Sequence, residues 1–262
     1  MTEKLQYFRP RSSEEALALK QHFGDKAQFL LGGDFKPTLK EDLEALIDLQ
    51  DTTFNDLKST DTAVRIGGVT SLRFLDEALE LPEFSKALST EYGLNVRNTL
   101  SISNFLKQAN GRSPVLVCLL AMNPTLSTFA SIDKLPLHTY LKQHDPDDQV
   151  AELFITKPID LAFESVGRSP KDLPIVCVAA AKTTEGTLDL AFGGSEKFRI
   201  ISLESNQTDA LELASQIYSG ATDQWASEEY RIAVGKVLLR RVLQKLAGHL
   251  NHRRRYEPNP SD

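Results

Sequence analysis

The chain has 262 residues, of which 41% are hydrophobic and 25% are charged, and its formal net charge is -6. These proportions are typical of folded globular domains and exclude a disordered chain. No apolar run approaches the roughly 20 residues that a membrane helix needs, so we expect no membrane insertion. The negative charge gives no general attraction for nucleic acid, because that binding depends on Lys and Arg. The N-terminus lacks a secretory signal, which predicts a cytoplasmic protein.

The N-terminal part predicts alternating helices and strands. Ser12 and Glu15 have the spacing of a capping box, and an apolar helical face follows them. The apolar run 29–31 then meets Gly32 and Gly33, which predicts a strand that ends in a tight loop.

Further elements follow from short apolar patterns. Two more strands are predicted at 46–49 and 64–68, and a helix at 71–79 carries its leucines on one side. The run 114–122 is almost wholly apolar and suits a buried helix or a buried strand; we favour the helix.

After Pro158 the pattern changes, and together with the length this favours two domains. Apolar runs separated by turn residues predict an antiparallel meander at 174–181, 187–192 and 198–201. Two helices are predicted at 210–218 and 228–250, the second with Ser227 as its N-cap.

The familiar catalytic signatures are absent, so the residues alone indicate no nucleophile, no acid–base catalyst and no metal site. Cys118 and Cys177 lie in apolar surroundings and are predicted to be small core residues. The turn at Gly32 and Gly33 could hold a phosphate with its backbone N–H groups, but most such turns only reverse the chain.

Several segments, taken in order, resemble one protein family. They are Tyr7–Pro10 with Ser13–Leu19, Leu30–Gly33, Leu46–Leu49, Ile66–Thr70, Ala191–Ser195 with Arg199 and Glu204, and Ser227–Leu243. Together they are similar to the FAD-binding medium subunit of molybdenum hydroxylases, of the xanthine dehydrogenase and carbon monoxide dehydrogenase type. The last segment is the most specific match.

The resemblance implies an α+β fold. It comprises a two-subdomain FAD-binding domain of the PCMH/vanillyl-alcohol-oxidase type, followed by a smaller C-terminal domain of antiparallel sheet plus helices. The corresponding boundaries are 1–158 for the FAD-binding domain, with subdomains at about 1–58 and 59–158, and 159–262 for the C-terminal domain.

The resemblance also implies a flavin site in which two loops hold the pyrophosphate of FAD and a third segment adds a contact. Both glycines of the first loop are present, whereas the second loop has no glycine here and the third position carries Ser in place of Asp. The predicted cofactor-binding residues are Leu31, Gly32, Gly33, Asp34, Phe35, Ser101, Ile102, Ser103, Asn104 and Ser113.

With FAD bound, the implied function is that of an oxidoreductase subunit. It would pass electrons from a molybdenum-cofactor large subunit and an iron–sulfur small subunit to an external acceptor. Two alternatives stay open at this point. The chain could be an assembly or regulatory subunit that keeps the fold without flavin, or a binder of a different nucleotide in the same cleft.

Overall fold

The computed structural model describes residues 5–33, 42–143, 149–169, 172–195, 199–203, 212 and 214–253. The chain divides into two compact units, described separately below. The first comprises 1–80, 92–108 and 124–156, and the second comprises 81–91, 109–123 and 157–262. The domain boundaries proposed from sequence stay predictions.

The first unit begins with a small parallel sheet. Strands β1 (Gln6–Phe8), β2 (Ala27–Leu30) and β3 (Ala45–Asp48) lie in the order β1-β3-β2, and helix α1 (Ser13–Phe23) connects the first two. Strand β3 lies between β1 and β2, and parallel strands of one sheet need a crossover such as α1 because a tight turn cannot join them.

The predicted N-cap of α1 is confirmed. The Ser12 hydroxyl accepts a hydrogen bond from the Glu15 N–H, while the Glu15 carboxylate accepts from the N–H of Arg11 rather than that of Ser12. The helix therefore starts where the sequence predicts, with a variant of the expected reciprocal cap.

The first unit also contains a five-stranded antiparallel sheet in the order β4-β5-β8-β6-β7. Its strands are β4 (Leu57–Ser59), β5 (Ala63–Gly67), β6 (Thr125–Thr128), β7 (Leu135–Pro136) and β8 (Val150–Thr156). Val64 and Ile66 on β5 are fully or almost fully buried, as are Leu153 and Ile155 on β8. These alternating positions form the apolar face that fixes the strand register.

Short helices occupy the segments between these strands. In the first unit they are α2 (Leu72–Leu79), α4 (Leu94–Thr99), α5 (Ile102–Gln108) and α7 (Leu137–Gln143); in the second they are α3 (Pro82–Glu91) and α6 (Pro114–Ala121). Every residue of α6 is buried, so the run 114–122 forms the helix that we favoured. Cys118, on α6, is buried and free, as is Cys177.

The second unit contains the predicted antiparallel meander. Its four strands are β9 (Asp160–Val166), β10 (Val176–Lys182), β11 (Leu188–Gly193) and β12 (Arg199–Leu203), in the order β12-β11-β10-β9. The sequence pattern did not predict β9. The long helix α8 (Glu228–Arg253) packs on β9 and β10, and α6 packs on β10 and β11.

A fully buried arginine organises the start of α8. Ser227 caps the helix by accepting from the Tyr230 N–H at 3.3 Å, as predicted. Arg231 is 0% exposed and makes two hydrogen bonds to the Asp223 carboxylate, at 2.9 and 2.8 Å. It also donates to the carbonyls of Ile175 and Gly194. These bonds compensate the burial of its charge, which would otherwise cost several kcal/mol.

Among the described residues, no helix combines the length and the apolar character that crossing a membrane requires.

Candidate functional site

The first predicted loop is a turn of two consecutive glycines directly after β2. Gly32 and Gly33 have φ angles of +78° and +69°. L-residues with a Cβ avoid this region, because the side chain comes too close to the backbone. Gly32 is exposed and Gly33 is half-buried, whereas Leu31 just before them is buried in the core. The outer side of the turn is therefore open backbone.

The inner side of the turn packs on a segment far along the chain. A Cβ placed on Gly33 would lie 2.3 Å from the Thr99 carbonyl oxygen and 2.5 Å from the Leu100 Cα. The same addition on Gly32 would meet only the Thr99 carbonyl oxygen, at 3.8 Å. Gly33 is thus required both for its backbone angle and for a close backbone approach, and Gly32 for its backbone angle alone.

Asn104 joins the second predicted loop to the first. Its side-chain amide donates to the Gly32 carbonyl oxygen at 2.8 Å, and the residue is only 4% exposed. The hydroxyl of Ser101 accepts from the Asn104 N–H at 3.2 Å, which holds Asn104 in the first turn of α5. The structure therefore brings residues 31–33 of the first predicted loop, 31–35, together with the second predicted loop, 101–104.

A third segment, Gly68–Leu72, completes this arrangement. The Ile102 N–H donates to the Thr70 carbonyl at 3.0 Å, and the Ser103 N–H donates to the Gly68 carbonyl at 2.8 Å. In return the Leu72 N–H donates to the Leu100 carbonyl at 3.0 Å. We call the meeting point of Gly32–Gly33, Gly68–Leu72 and Thr99–Asn104 the loop junction.

The loop junction contains three buried hydroxyls without a hydrogen-bond partner among the described residues. They belong to Thr70, Ser71 and Ser103, which are 3%, 8% and 1% exposed. Ser71 stands at the N-cap position of α2, yet its side chain makes no capping bond. Buried polar atoms are satisfied in the great majority of cases, so these three hydroxyls are exceptions.

Ser113 lies in the second unit, where its side chain has a structural role. It is the N-cap of α6 and accepts from the Leu116 N–H at 3.0 Å. Its hydroxyl donates to the Glu91 carboxylate at 2.7 Å, and the same carboxylate accepts from the Val115 N–H at 3.1 Å. The Ser113 hydroxyl is therefore fully engaged within its own unit.

The remaining predicted site residues differ in burial and in whether the structure describes them. Ile102 is fully buried, so only its backbone could face a ligand, and the same holds for Leu31. Asp34 and Phe35 lie outside the described residues. The cofactor-binding roles of all ten residues stay predictions. The sequence motif Ile66–Thr70 does not assign Thr70 or Ser71 to the site. Only the backbone pairing of these two residues with residues 101–103 shows where they lie.

Proteins of known structure share this fold. A chain of quinoline 2-oxidoreductase from Pseudomonas putida 86 aligns over 94% of this chain and 98% of its own, with a TM-score of 0.71 and 16% identity. A chain of CO dehydrogenase from Oligotropha carboxidovorans covers 93% of this chain and 98% of its own, with a TM-score of 0.69 and 19% identity.

Sequence comparison gives closer relatives. The uncharacterized protein YgfM of Escherichia coli (strain K12) is 31% identical over 219 residues, which span 80% of this chain and 83% of YgfM. The model of the family described as "FAD binding domain in molybdopterin dehydrogenase" matches residues 3–157. The chain therefore belongs to the family of FAD-binding domains of molybdopterin dehydrogenases, which confirms the resemblance, the α+β fold class and the choice of FAD as cofactor.

Proposed function

We propose that this chain binds FAD at the loop junction and serves as the flavin-carrying subunit of a molybdenum-hydroxylase-like oxidoreductase. The observation that carries the proposal is the convergence of two predicted flavin loops, joined by the bond from Asn104 to Gly32, within the part of the chain that matches the FAD-binding family.

The residues at the loop junction fit such a cofactor. The turn at Gly32 and Gly33 carries no side chains of its own and Gly32 is exposed, which lets a bulky diphosphate approach its backbone. This turn lies in the first unit, and its backbone requires no charged side chain to contact a phosphate.

FAD supplies the redox chemistry when bound, and the protein positions it and tunes its potential. In the proposed complex, FAD held by this chain would supply electron transfer between molybdenum and iron–sulfur partner subunits and an external acceptor. The solved CO dehydrogenase from Hydrogenophaga pseudoflava, a form that lacks the Mo-pyranopterin moiety of its molybdenum cofactor, aligns over 92% of this chain with a TM-score of 0.68. A molybdenum-cofactor large subunit and an iron–sulfur small subunit are the proposed partners.

Calorimetric titration of the purified chain with FAD tests the cofactor part of the proposal. We expect saturable binding of one FAD per chain. Asn104→Ala is the matched variant, because it removes the amide that holds the turn, and we expect weaker binding. Heat no greater than that of dilution for the unaltered chain would contradict FAD binding.

Affinity purification of the tagged chain from its native cells tests the partner assignment. The eluate is analysed for molybdenum and iron by mass spectrometry, with a tagged unrelated protein as control. The proposal predicts both metals in a fixed ratio to this chain. Elution of the chain alone, with no enrichment of either metal, would contradict the proposed partners.

A subunit that keeps the fold without flavin was the alternative from sequence. The match of residues 3–157 to a family defined by FAD binding does not favour it. Binding of FAD in the titration would leave the flavoprotein as the only one of these two functions to pursue.

A further inference from the structure

The long helix α8 has a buried side and an exposed side with a pattern of its own. Gly235 marks the buried side, where an added Cβ would lie 2.6 Å from the Tyr218 ring. Ala233 and Val237 stand two positions before and after Gly235 and point nearly the opposite way, because a helix turns about 100° per residue. Both are exposed, and Val237 and Tyr230 are each 44% exposed. The exposed side of α8 therefore has a small apolar centre.

Charged residues of opposite sign flank this apolar centre. Glu229 lies in the first turn of α8, and Arg240 and Arg241 follow roughly three turns later; all three are exposed. Among the described residues, the ion pairs of α8 involve Arg231 and Lys245, and neither Arg240 nor Arg241 takes part in one. Single exposed apolar side chains are common on protein surfaces, so the charges decide which partner fits this side of the helix.

The Glu229 carboxylate is available to such a partner. It accepts a hydrogen bond from Ser227 and one from its own N–H, which hold the pKa of Glu229 below its ordinary value, so the group is charged at neutral pH. A carboxylate has about four acceptor sites, so an arginine can bind it at the same time.

The pattern is self-complementary about Gly235. Glu229 lies six positions before this residue, and Arg240 lies five positions after it. When two copies of α8 pack antiparallel with their Gly235 positions level, Glu229 of each copy lies beside Arg240 of the other. The heights of these two residues along the helix axis then differ by one residue, about 1.5 Å, and both stand on the same side of the contact. Tyr230 likewise meets Arg241, and an aromatic ring and a guanidinium attract each other.

The charges also select the direction of packing. In a parallel pair, Glu229 would face Glu229 of the other copy and Arg240 would face Arg240, and like charges opposite each other disfavour association. In the antiparallel pair, Ala233 and Val237 face their counterparts at the centre, where the small side chain of Ala233 lets the two helices approach closely. A single patch then serves both copies, as a two-fold contact requires.

We propose that the chain forms a two-fold symmetric dimer in which α8 of one copy packs antiparallel on α8 of a second copy. The residues that each copy contributes, called the dimer face, are Glu229, Tyr230, Ala233, Val237, Arg240 and Arg241. This contact goes beyond the proposed function and does not depend on FAD. It gives any complex built on this chain two copies of the chain.

The dimer face is short, which sets the strength of the contact. From Glu229 to Arg241 it spans about 18 Å along the helix axis. Small interfaces are weak, so we expect a dissociation constant on the order of 10 µM. The charge pairs lie at the surface and are screened by salt, so the dimer weakens as the salt concentration rises.

Sedimentation velocity of the full chain tests the dimer. The chain is examined from about 1 to about 200 µM, a range that brackets the expected dissociation constant. We expect a shift from monomer to dimer with rising concentration, and at high salt the same shift at higher concentration.

Charge reversals test the direct pairing. Glu229→Arg and Arg240→Glu each bring like charges together, so each should weaken the dimer at least roughly tenfold. The double variant Glu229→Arg/Arg240→Glu restores opposite charges at both ends of the contact and should recover the dimer. Thermal melts check that every variant is folded. Recovery in the double variant cannot result from damage to the fold.

Two more variants complete the set. Val237→Ser removes an exposed apolar side chain from the centre of the dimer face and should also weaken the dimer. Arg73→Glu is the matched control, because Arg73 is 53% exposed on helix α2 of the first unit, outside the dimer face. It should leave the dissociation constant of the dimer unchanged.

Four results would overturn the dimer. They are a chain that stays monomeric over the whole range, a dimer that neither charge reversal weakens, single variants whose loss the double variant does not recover, and a monomeric chain whose dimer-face variants lose co-purified molybdenum and iron. The last result would assign this side of α8 to a partner subunit. Because dimer formation is measured without FAD, failure of FAD to bind in the titration would contradict the proposed function and leave the dimer standing.

Discussion

Replacement of Gly33 by alanine tests the loop junction where its geometry is most restrictive. The added Cβ incurs two separate penalties. The first is the positive φ of 69°, which costs an L-residue about 1–2 kcal/mol. The second is steric, because the Cβ would lie 2.3 Å from the Thr99 carbonyl oxygen, and such overpacking costs about 1–3 kcal/mol.

Gly32→Ala separates these two penalties. Gly32 has a φ of +78°, but its Cβ would meet nothing closer than 3.8 Å, so this variant should lose only the torsional term of about 1–2 kcal/mol. Gly24→Ala, at a glycine outside the loop junction with nothing within 4 Å of the added Cβ, serves as the control for ligand binding. Gly33→Ala should lose both terms, about 2–5 kcal/mol, and the difference measures the clash alone.

Denaturant titration followed by circular dichroism measures these losses without ligand. For a chain of this size, each 1 kcal/mol corresponds to roughly 2–4 °C in Tm, so thermal melts provide a second readout. Gly33→Ala should also bind FAD more weakly than Gly24→Ala, because moving Thr99 away displaces the second loop. If Gly33→Ala were as stable as Gly32→Ala, the close approach of the two loops would be refuted.

Three further predictions concern other side chains. Asn104→Ala should lower the free energy of unfolding by about 0.5–1.5 kcal/mol in denaturant titrations, because it removes the hydrogen bond from the Asn104 amide to the Gly32 carbonyl; an unchanged midpoint would contradict this. Burial by itself raises the pKa of Asp223, but hydrogen bonds from the Trp225 N–H and Arg231 outweigh it, so the pKa lies below its ordinary 3.8. The resulting stabilisation is present above the unfolded-state pKa and is lost as the pH falls through the folded-state pKa. The Tm difference between the unaltered chain and Asp223→Asn should therefore be constant at neutral pH and shrink below about pH 4; a difference that persisted in acid would refute this. Burial raises the pKa of the Cys118 and Cys177 thiols, so a thiol reagent should label neither until the chain unfolds; labelling of the folded chain would contradict their burial.

Elements with strong local signals could be predicted from the sequence. The cap at Ser12, the strand β2 that precedes the Gly32 turn and the buried helix α6 each depend on residues close together in the chain. The short helices α3, α4 and α5 were not predicted, because in so few residues apolar periodicity gives little signal.

The candidate site could be predicted only in part. The resemblance identified the loops at Gly33 and Asn104, and the structure brings them together. It could not reveal Thr70 and Ser71, because their role at the junction depends on a single antiparallel bridge between Ser71 and Ser101. Such a bridge joins residues distant in sequence and leaves no periodic pattern, so its partners emerge only from the folded chain.

The visible absorption spectrum of the purified protein shows directly whether this chain carries FAD. The spectrum is recorded as purified, and again after incubation with FAD and desalting, with Gly33→Ala treated in parallel. We predict the bands of a protein-bound oxidised flavin that survive desalting in the unaltered chain and are weaker in the variant. A colourless protein after reconstitution, with all FAD in the small-molecule fraction, would contradict the account.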